Sequence, residues 1–422
     1  MGITITVPYG RSVLHCTIPD GHFGQFILPT ERFSRQDQSK IVQDALSHPI
    51  GSPTLQELSA SVRKILLITD DNTRPLPSKI TIPCILGALA RPPQEYEITI
   101  LIATGLHREM APVEIEERFG RELMDCYPIV NHHARDREDL ISLGKLSTGN
   151  ELWVNRLVAE SDLVIAEGFI EPHFFAGFSG GRKSILPGVS GADTILRNHS
   201  PQNIGSRSAS IASLSGNPIH AECTEAAQRA GLRFILNVAL NQRKEIVCAY
   251  AGDPTAAHAE GCSQVQRMMS VPVRASEIVI TSNNGYPLDR NLYQTVKGID
   301  TAARAVREGG TIIIASQCAD GVGHPAFEQL LTSFETVEQL DRQMRQGEAV
   351  IDQWQVQVLA RVLRRNRVIL VSDTISQEQA GKMFLQTAPT LQAALDVALK
   401  AYGPHVKVNV MPDGPVVIPQ AV

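Results

Sequence analysis

The sequence predicts an α/β protein of two domains, each with a mostly parallel sheet, and an active-site cleft between the domains. Short apolar segments rich in β-branched residues alternate with segments of helical periodicity, which is typical of parallel sheets covered by helices. With 422 residues, the chain can bury more than one core. Polar side chains also follow several predicted strands directly, and ligands of such sheets bind at the carboxyl ends of the strands.

The predicted strands and helices alternate along the chain. In the first domain, an opening hairpin precedes predicted strands at Lys64–Thr69, Glu97–Ala103, Tyr127–Asn131, Asp162–Glu167 and Arg233–Leu240. The helices predicted there are Ile82–Ala90, with Thr81 as N-cap and Pro83 in the first turn, Pro112–Phe119, Asn217–Ala230 and Thr255–Met269. In the second domain we predict strands Glu277–Thr281, Thr311–Ala315 and Arg367–Val371, a helix Leu292–Arg307 and a helix that ends near Ala401.

The domain boundary is predicted at a short hinge. Residues 1–269 are expected to form the first domain, residues 270–275 (SVPVRA) the hinge and residues 276–404 the second domain. Residues 405–422 are predicted as a strand, a turn and a strand, with a return to the first domain as one arrangement.

Charge and cysteine content exclude several classes of protein. The net charge of −5 gives no overall basic character, so nucleic acid is not expected as a partner. No apolar run approaches the ~18 residues of a membrane helix, so a membrane partner is not expected either. Seven scattered cysteines without a CxxC pair favour free thiols in a reducing cytoplasm. The sequence therefore predicts a cytoplasmic protein that acts on a small molecule.

The segment Ile165–His199 is the most informative part of the chain. It holds His173, Lys183 and His199 in a run of glycines and prolines too irregular for a helix or a strand. Its phenylalanines carry too much apolar surface for a disordered tail, and long ordered loops in compact domains are usually functional. Many lysines are simply solvated, but one in a glycine-flanked loop between two histidines favours a covalent or phosphate-binding role.

Other candidate residues follow different predicted strands. His107 and His173 each come after a strand, and two such histidines favour acid–base or metal chemistry over a structural role. Asp71 and Arg74 follow the Lys64–Thr69 strand, and an arginine there is suited to a bidentate contact with a carboxylate.

The second domain contributes a cluster of candidates on one predicted helix. Tyr293, Gln294 and Lys297 share a helical face, which is either a solvated surface or a grip for a carboxylate or phosphate. Trp354 belongs either to the core or to the apolar wall of a pocket. These patterns leave three hypotheses open: an acid–base enzyme with a lysine-tethered cofactor, a histidine-ligated metal hydrolase, and a non-catalytic nucleotide- or anion-binding protein.

Five motifs occur in order along essentially the whole chain: Asp70–Pro77 (DDNTRPLP), Ala103–Arg108 (ATGLHR), Glu171–Gly191 (EPHFFAGFSGGRKSILPGVSG), Asn198-His199 and Tyr293–Gly298 (YQTVKG). This combination resembles the nickel-pincer lactate racemases and their 2-hydroxyacid racemase relatives. The pattern PHxxAGxxGGxK inside the third motif is a specific signal. The resemblance implies an isomerase that racemises or epimerises a 2-hydroxy acid, either lactate-like or larger and dicarboxylic, such as malate.

The resemblance also implies a cofactor and its ligands. The cofactor of the family is the nickel-pincer nucleotide, a nickel pyridinium-3-thioamide-5-thiocarboxylic acid mononucleotide, which implies cofactor-biosynthesis proteins as partners. Lys183 would carry it covalently, and His199 would complete the nickel coordination. His107 and His173 would serve as acid and base. The positions that match substrate-binding or supporting residues of the family are Arg74, Gln294, Lys297, Tyr293, Asp71 and Trp354.

Elementary acid–base chemistry agrees with the resemblance. The α hydrogen beside an ionised carboxylate is too weakly acidic for an imidazole to remove. A positioned imidazole can take the hydroxyl proton if the α hydrogen leaves as hydride to an electrophilic ring carbon. Arg108 and Arg182 are further cations beside this expected site. They could recognise a second carboxylate or sugar hydroxyls, or steer anions.

Overall fold

Two six-stranded sheets with helices packed against them form the framework of the protein in the computed structural model, which describes residues 2–29 and 36–422. Every pair of neighbouring strands in the second sheet is parallel. In the first sheet only the pair at one edge is antiparallel. The predicted fold class, α/β with mostly parallel sheets, is thereby confirmed.

The strands alternate with helices as the hydrophobic pattern predicts. The strands are β1 (Gly2–Tyr9), β2 (Ser12–Pro19), β3 (Phe23–Phe26), β4 (Lys64–Asp70), β5 (Glu97–Ala103), β6 (Ile129–Asn131), β7 (Leu140–Lys145), β8 (Glu151–Asn155), β9 (Leu163–Phe169), β10 (Pro172–His173), β11 (Gly177–Phe178), β12 (Leu232–Leu240), β13 (Ile246–Gly252), β14 (Ser270–Val273), β15 (Ser276–Ser282), β16 (Val306–Ala315), β17 (Arg367–Val371), β18 (Gln386–Thr387), β19 (Val408–Met411) and β20 (Ile418–Ala421).

The helices are mostly short. They are α1 (Gln38–Ser47), α2 (Leu55–Ser59), α3 (Ser78–Gly87), α4 (Pro112–Phe119), α5 (Arg121–Cys126), α6 (Arg156–Glu160), α7 (Ala192–Asn198), α8 (Pro201–Gly205), α9 (Pro218–Arg229), α10 (Ala256–Met269), α11 (Leu292–Ala302), α12 (Pro325–Thr332), α13 (Val337–Gln346), α14 (Gln353–Leu363), α15 (Gln377–Lys382) and α16 (Leu391–Ala401). Four 3-10 helices span Pro93–Glu95, Arg137–Asp139, Gly181–Ser184 and Gly414–Val416.

The first sheet has the strand order β13-β12-β9-β4-β5-β6. Its central strands are apolar on both faces because helices cover both sides, and β9 is buried at every position. The carboxyl ends of β4, β5 and β9 lie side by side, since these strands are parallel neighbours. The chain segments that follow these three strands are therefore brought together.

The second sheet has the order β18-β17-β16-β15-β19-β3. Because this sheet contains β3, the predicted placement of residues 2–29 is wrong. Residues 2–29 were expected in the first domain, but β3 pairs with β19 in the second sheet. The hairpin β1–β2 also packs on that sheet, with Ile5 and Val7 in one core cluster with Ile278 and Ile280. Strand pairing depends on partners nearly 400 residues away, which local periodicity does not reveal.

The predicted hinge and the tail are connected to each other. Ser270–Val273 forms β14, which runs parallel to β20 at the C-terminus. The tail is a strand, a 3-10 turn and a strand, as predicted, but β19 joins β15 in the second sheet and does not return to the first. The hinge segment at Ser270–Val273 is therefore paired with the C-terminal strand in a two-stranded sheet.

Two predicted helix boundaries are wrong. Helix α3 begins at Ser78, so Pro83 lies inside the helix, and Thr81 donates its hydroxyl hydrogen bond to Glu167. Helix α11 ends at Ala302, and β16 already begins at Val306. Among the described residues, none of the helices combines the length and apolar character needed to cross a bilayer.

We expect the core of the first sheet to be sensitive to cavity formation. Phe234 on β12 is fully buried, whereas Phe26 on the edge strand β3 is 42% exposed. Phe234→Ala should lower the free energy of unfolding by about 3–5 kcal/mol, because it removes a buried ring and leaves a cavity. Phe26→Ala is the matched control and should cost much less. Urea denaturation of both variants measures the difference, and equal losses would contradict the assignment of Phe234 to the core.

Candidate active site

One cleft lies between the two halves of the protein and is lined by residues that follow strands of both sheets. All of the site residues expected from the sequence line it: Asp71, Arg74, His107, His173, Lys183, His199, Tyr293, Gln294, Lys297 and Trp354. The first six come from segments after β4, β5 and β9, and the others come from α11 and α14. The fold therefore places side chains that are far apart in sequence around one space.

His107 is oriented by a carboxylate. Its Nδ1 lies 2.6 Å from Oδ2 of Asp71, which is buried. Burial raises the pKa of Asp71, but the contact with His107, the charge of Arg74 and the hydrogen bond from Thr73 outweigh burial and hold that pKa well below its usual range. The ionised Asp71 fixes the His107 tautomer with hydrogen on Nδ1, which leaves Nε2 as the proton acceptor.

His173 has a different environment. Its Nδ1 accepts hydrogen bonds from the backbone N–H groups of Ala176 at 3.2 Å and Phe175 at 3.5 Å. Burial lowers the pKa of His173 well below its usual value, and the charges of Lys183 and Lys297 lower it further. The neutral ring therefore carries its hydrogen on Nε2. His173 presents a donor where His107 presents an acceptor.

Lys183 reaches the cleft through a tight turn that needs glycine. Gly180 and Gly181 have φ angles of 75° and 56°, in the left-handed region that favours glycine. A Cβ on Gly181 would come within 2.7 Å of the His258 ring, so this glycine is also required for packing. Burial lowers the pKa of Lys183 to about 8. An amine with that pKa is partly neutral near pH 7 and can act as a nucleophile.

His199 caps the C-terminal end of α7 and is buried among aromatic rings. The ring centroids of Phe175 and Trp354 each lie 5.1 Å from that of His199. Burial lowers the pKa of His199 to about 3, and the charge of Lys183 contributes. Within the described part of the chain its Nδ1 has no hydrogen-bond partner. A neutral imidazole of this kind can bind a metal.

Helix α11 is buried along its whole length, which rules out the solvated-surface alternative for its polar side chains. Nζ of Lys297 and Oε1 of Gln294 are buried and have no hydrogen-bond partner among the described residues. Burial lowers the pKa of Lys297 to about 7, with Arg74 acting in the same direction and Glu171 against it. Unpaired buried polar groups are costly, so both atoms are suited to a bound ligand.

Trp354 forms part of the pocket wall and is also tied to Tyr293. The indole Nε1 of Trp354 donates a 3.0 Å hydrogen bond to the Tyr293 hydroxyl. The Tyr293 ring stacks on His324 with 4.1 Å between centroids. The sequence left the role of Trp354 open between core and pocket, and the structure places it in both.

Neither of the two additional arginines lines the cleft. Arg108 pairs with Glu114 at 2.6 Å near the surface. Arg182 points behind the Lys183 loop, where its guanidinium binds the carbonyl oxygens of Ala176 and Gly180 and contacts His258. Arg182 therefore holds the loop together and is turned away from the cleft.

Asp70, His324 and Gln355 also line the cleft, and sequence reasoning did not single them out as site residues. Asp70 is the last residue of β4. Burial raises its pKa to about 7, although the charges of Arg74 and Arg118 act to lower it. His324 follows β16, so the strand-end rule used for His107 could have found it. Gln355 lies on α14 beside Trp354 and donates to the Tyr293 carbonyl, and no local signal marks it.

The cleft does not contain a metal site made of protein side chains alone. Within residues 2–29 and 36–422, no group of three or more His, Cys, Asp or Glu side chains is arranged to hold a metal ion. A metal bound through His199 would therefore need further ligands from a bound organic group. This finding counts against the metal-hydrolase hypothesis, which requires a set of protein ligands.

Family models match both halves of the chain. The model of the lactate racemase N-terminal domain matches residues 9–212, and that of the lactate racemase C-terminal domain matches residues 271–419. A lactate racemase from Thermoanaerobacterium thermosaccharolyticum is 42% identical over 420 residues, and one from Lactiplantibacillus plantarum is 38% identical over 417 residues. Each alignment covers 98% of both chains.

Solved structures agree with these matches. The lactate racemase apoprotein from T. thermosaccharolyticum superimposes with a TM-score of 0.94 at 40% identity and covers 99% of this chain and 100% of its own. A crystal structure of a protein from Thermotoga maritima has a TM-score of 0.67 at 17% identity, covering 94% of this chain and all of its own, and shows the fold alone. The non-catalytic hypothesis is therefore wrong: the chain is an isomerase, a racemase, and it belongs to the lactate racemase family.

Proposed function

We propose that this protein racemises a 2-hydroxy acid, lactate or a larger or dicarboxylic relative such as malate, with a nickel-pincer nucleotide attached to Lys183. The observation that carries the proposal is the arrangement of one cleft. A lysine of lowered pKa, a neutral imidazole, two complementary imidazoles and the buried amine of Lys297 face the same space. Among the described residues, Nδ1 of His199 and Nζ of Lys297 have no hydrogen-bond partner. The relatives named lactate racemase support the substrate class.

The residues present fit the proposed cofactor. The Lys183 amine is available for a covalent thioamide link, since burial lowers its pKa to about 8. The buried, neutral His199 is suited to bind nickel, with the remaining ligands supplied by the cofactor. When bound, this group supplies an electrophilic ring carbon that takes the α hydrogen of the substrate as hydride and returns it.

The substrate carboxylate would be held by the cations that face the cleft from both halves. Arg74 contributes a guanidinium from the loop after β4, and Lys297 contributes an ammonium from α11. Nζ of Lys297 has no acceptor of its own among the described residues, so a bound carboxylate would satisfy it. The Gln294 side chain lies on the same buried helix and would orient the substrate through its amide.

His107 and His173 would handle the hydroxyl proton. Nε2 of His107 accepts it because Asp71 holds the hydrogen of the neutral ring on Nδ1. Nε2 is the nitrogen of His173 that would exchange a proton with the substrate, because its Nδ1 is occupied by backbone N–H groups. The two enantiomers place their hydroxyl groups on different sides, so each needs its own imidazole. The rings of Phe174, Phe175 and Trp354 give the cleft an apolar wall.

The attachment of the cofactor to Lys183 can be tested by mass and metal content. Protein produced with the cofactor-assembly proteins should carry a covalent adduct and nickel. Lys183→Ala should lose the adduct, whereas His199→Ala should keep the adduct and lose nickel. Lys382→Ala, at an exposed lysine paired with Glu378, is the control and should retain both. An active, nickel-free enzyme with unmodified Lys183 would refute the proposal.

The grip of Lys297 on the substrate can be tested by kinetics. Lys297→Met should raise KM by about ten- to a hundred-fold, since a hydrogen bond to a charged group is worth ~1.5–3 kcal/mol. Lys382→Met changes an exposed lysine and should leave KM as it is. An unchanged KM in Lys297→Met would contradict the assigned role.

The reaction itself can be tested with an isotope. If His107 and His173 move only the hydroxyl proton, a substrate deuterated at C2 should racemise in ordinary water and keep its label. Deuterium on an imidazole nitrogen would exchange with water, so extensive early loss of label would rule out the hydride reaction. His107→Ala or His173→Ala should lower the rate by about 10²–10⁴ in both directions.

Lactate, malate and aldonic acids form the substrate panel for the proposed function. A failure to interconvert the enantiomers of any of these acids would refute that function.

A further inference from the structure

A second imidazole–carboxylate pair faces the cleft from the other half of the protein. Nδ1 of His324 lies 3.2 Å from both carboxylate oxygens of Asp352. His324 follows β16 and lines the cleft, and its side chain is 25% exposed. None of the steps described above uses this pair.

Asp352 is held in place by its surroundings. It is 2% exposed and has a φ of 65°, a left-handed conformation that is uncommon for a residue other than glycine. Its carboxylate also accepts the Tyr293 hydroxyl, whose pKa is raised well above its usual value by burial and by the charge of Asp352. Tyr293 in turn stacks on His324 and accepts from Trp354. The orientation of His324 is therefore fixed by several contacts.

The ring of His324 lies beside that of His107. The two centroids are 6.1 Å apart, with an interplanar angle of 75°. In each ring, Nδ1–H donates to a carboxylate, which is Asp71 for His107 and Asp352 for His324. Nε2 of each ring is therefore free to accept a proton. At this separation of the rings, one water can bridge them and carry a proton.

The proton balance of the proposed reaction creates a need for such a group. In one turnover, His107 takes the hydroxyl proton of one enantiomer, and His173, which must be protonated for this step, gives a proton to the alkoxide oxygen of the other. The free enzyme is left with one proton too many on His107 and one too few on His173. Before the next turnover in the same direction, His107 must give one proton to solvent and His173 must take one from solvent, so the enzyme and the solvent show no net change in protons.

We propose that His324, oriented by Asp352, exchanges the proton of His107 with solvent between turnovers. The proton passes from Nε2 of His107 to Nε2 of His324 and from there to water or buffer, while Nδ1–H of His324 stays on Asp352. His324 acts through His107 and does not touch the substrate, and Asp352 is the positioning residue. The inference rests on the proposed function, because the need for exchange follows from the two-imidazole reaction.

The kinetic consequence distinguishes this role from a structural one. At low substrate concentration the free enzyme has time to exchange its proton between turnovers, so kcat/KM does not depend on His324. At saturating substrate the exchange limits the rate, so kcat does depend on it. A small proton acceptor such as imidazole in the buffer can replace the missing side chain.

The experiment uses the cofactor-loaded enzyme and three variants. His324→Gln keeps a hydrogen-bond donor for Asp352 but cannot carry a proton. Asp352→Asn is compatible with the left-handed backbone, which asparagine tolerates, and removes the carboxylate that orients His324. His133→Gln is the matched control, since His133 also pairs with an aspartate, Asp139, at 2.6 Å but lies outside the cleft.

We expect His324→Gln to lower kcat by about 10- to 100-fold in weakly buffered solution, a part of the usual range for general acid–base groups. Its kcat/KM should change little, and added imidazole should restore kcat. Asp352→Asn should show the same pattern more weakly, and His133→Gln should behave like the unchanged enzyme. An unchanged kcat in His324→Gln, or a parallel loss of kcat and kcat/KM that imidazole does not restore, would overturn the proposal. An unchanged enzyme without racemase activity would instead refute the proposed function.

Discussion

Buried positive charge is the constraint on which the cleft depends. Arg74, Lys183 and Lys297 face one space, and Asp71, one of the two carboxylates there, is already bound to His107. Like charges repel strongly where water is displaced, so the charge of Arg74 lowers the pKa of both lysines and that of Lys183 lowers the pKa of Lys297. A tethered lysine loses its charge and a bound carboxylate adds a negative one, so loading of the site would relieve the repulsion.

The charges around the cleft also explain why the histidines that line it differ from one another. His173 and His199 are buried beside the cations and stay neutral, while His107 is held by an ionised aspartate. A neutral imidazole can ligate a metal or donate a hydrogen bond, and a carboxylate-bound imidazole can accept a proton. The role open to each ring is therefore set by its neighbours, since the side chain is the same.

The two halves of the protein contribute different parts of the site, and neither half forms the site alone. The first sheet supplies the glycine-rich Lys183 loop and most of the imidazoles, and the second sheet supplies the buried polar helix α11 with Lys297 and the tryptophan of α14. The paired strands β14 and β20 join the hinge segment to the C-terminus.

Periodicity was enough to predict the fold class and most strand positions, because it is a local signal. The ten expected lining residues came from strand-end positions together with the motifs of the family resemblance. The pairing of β3 with β19, the direction of Arg182 away from the cleft and the contact of His324 with His107 became visible in three dimensions alone. Strand partners, the direction of a buried side chain and contacts across the cleft are set by residues distant in sequence. Their energies depend on burial and charge in three dimensions, which no local pattern encodes.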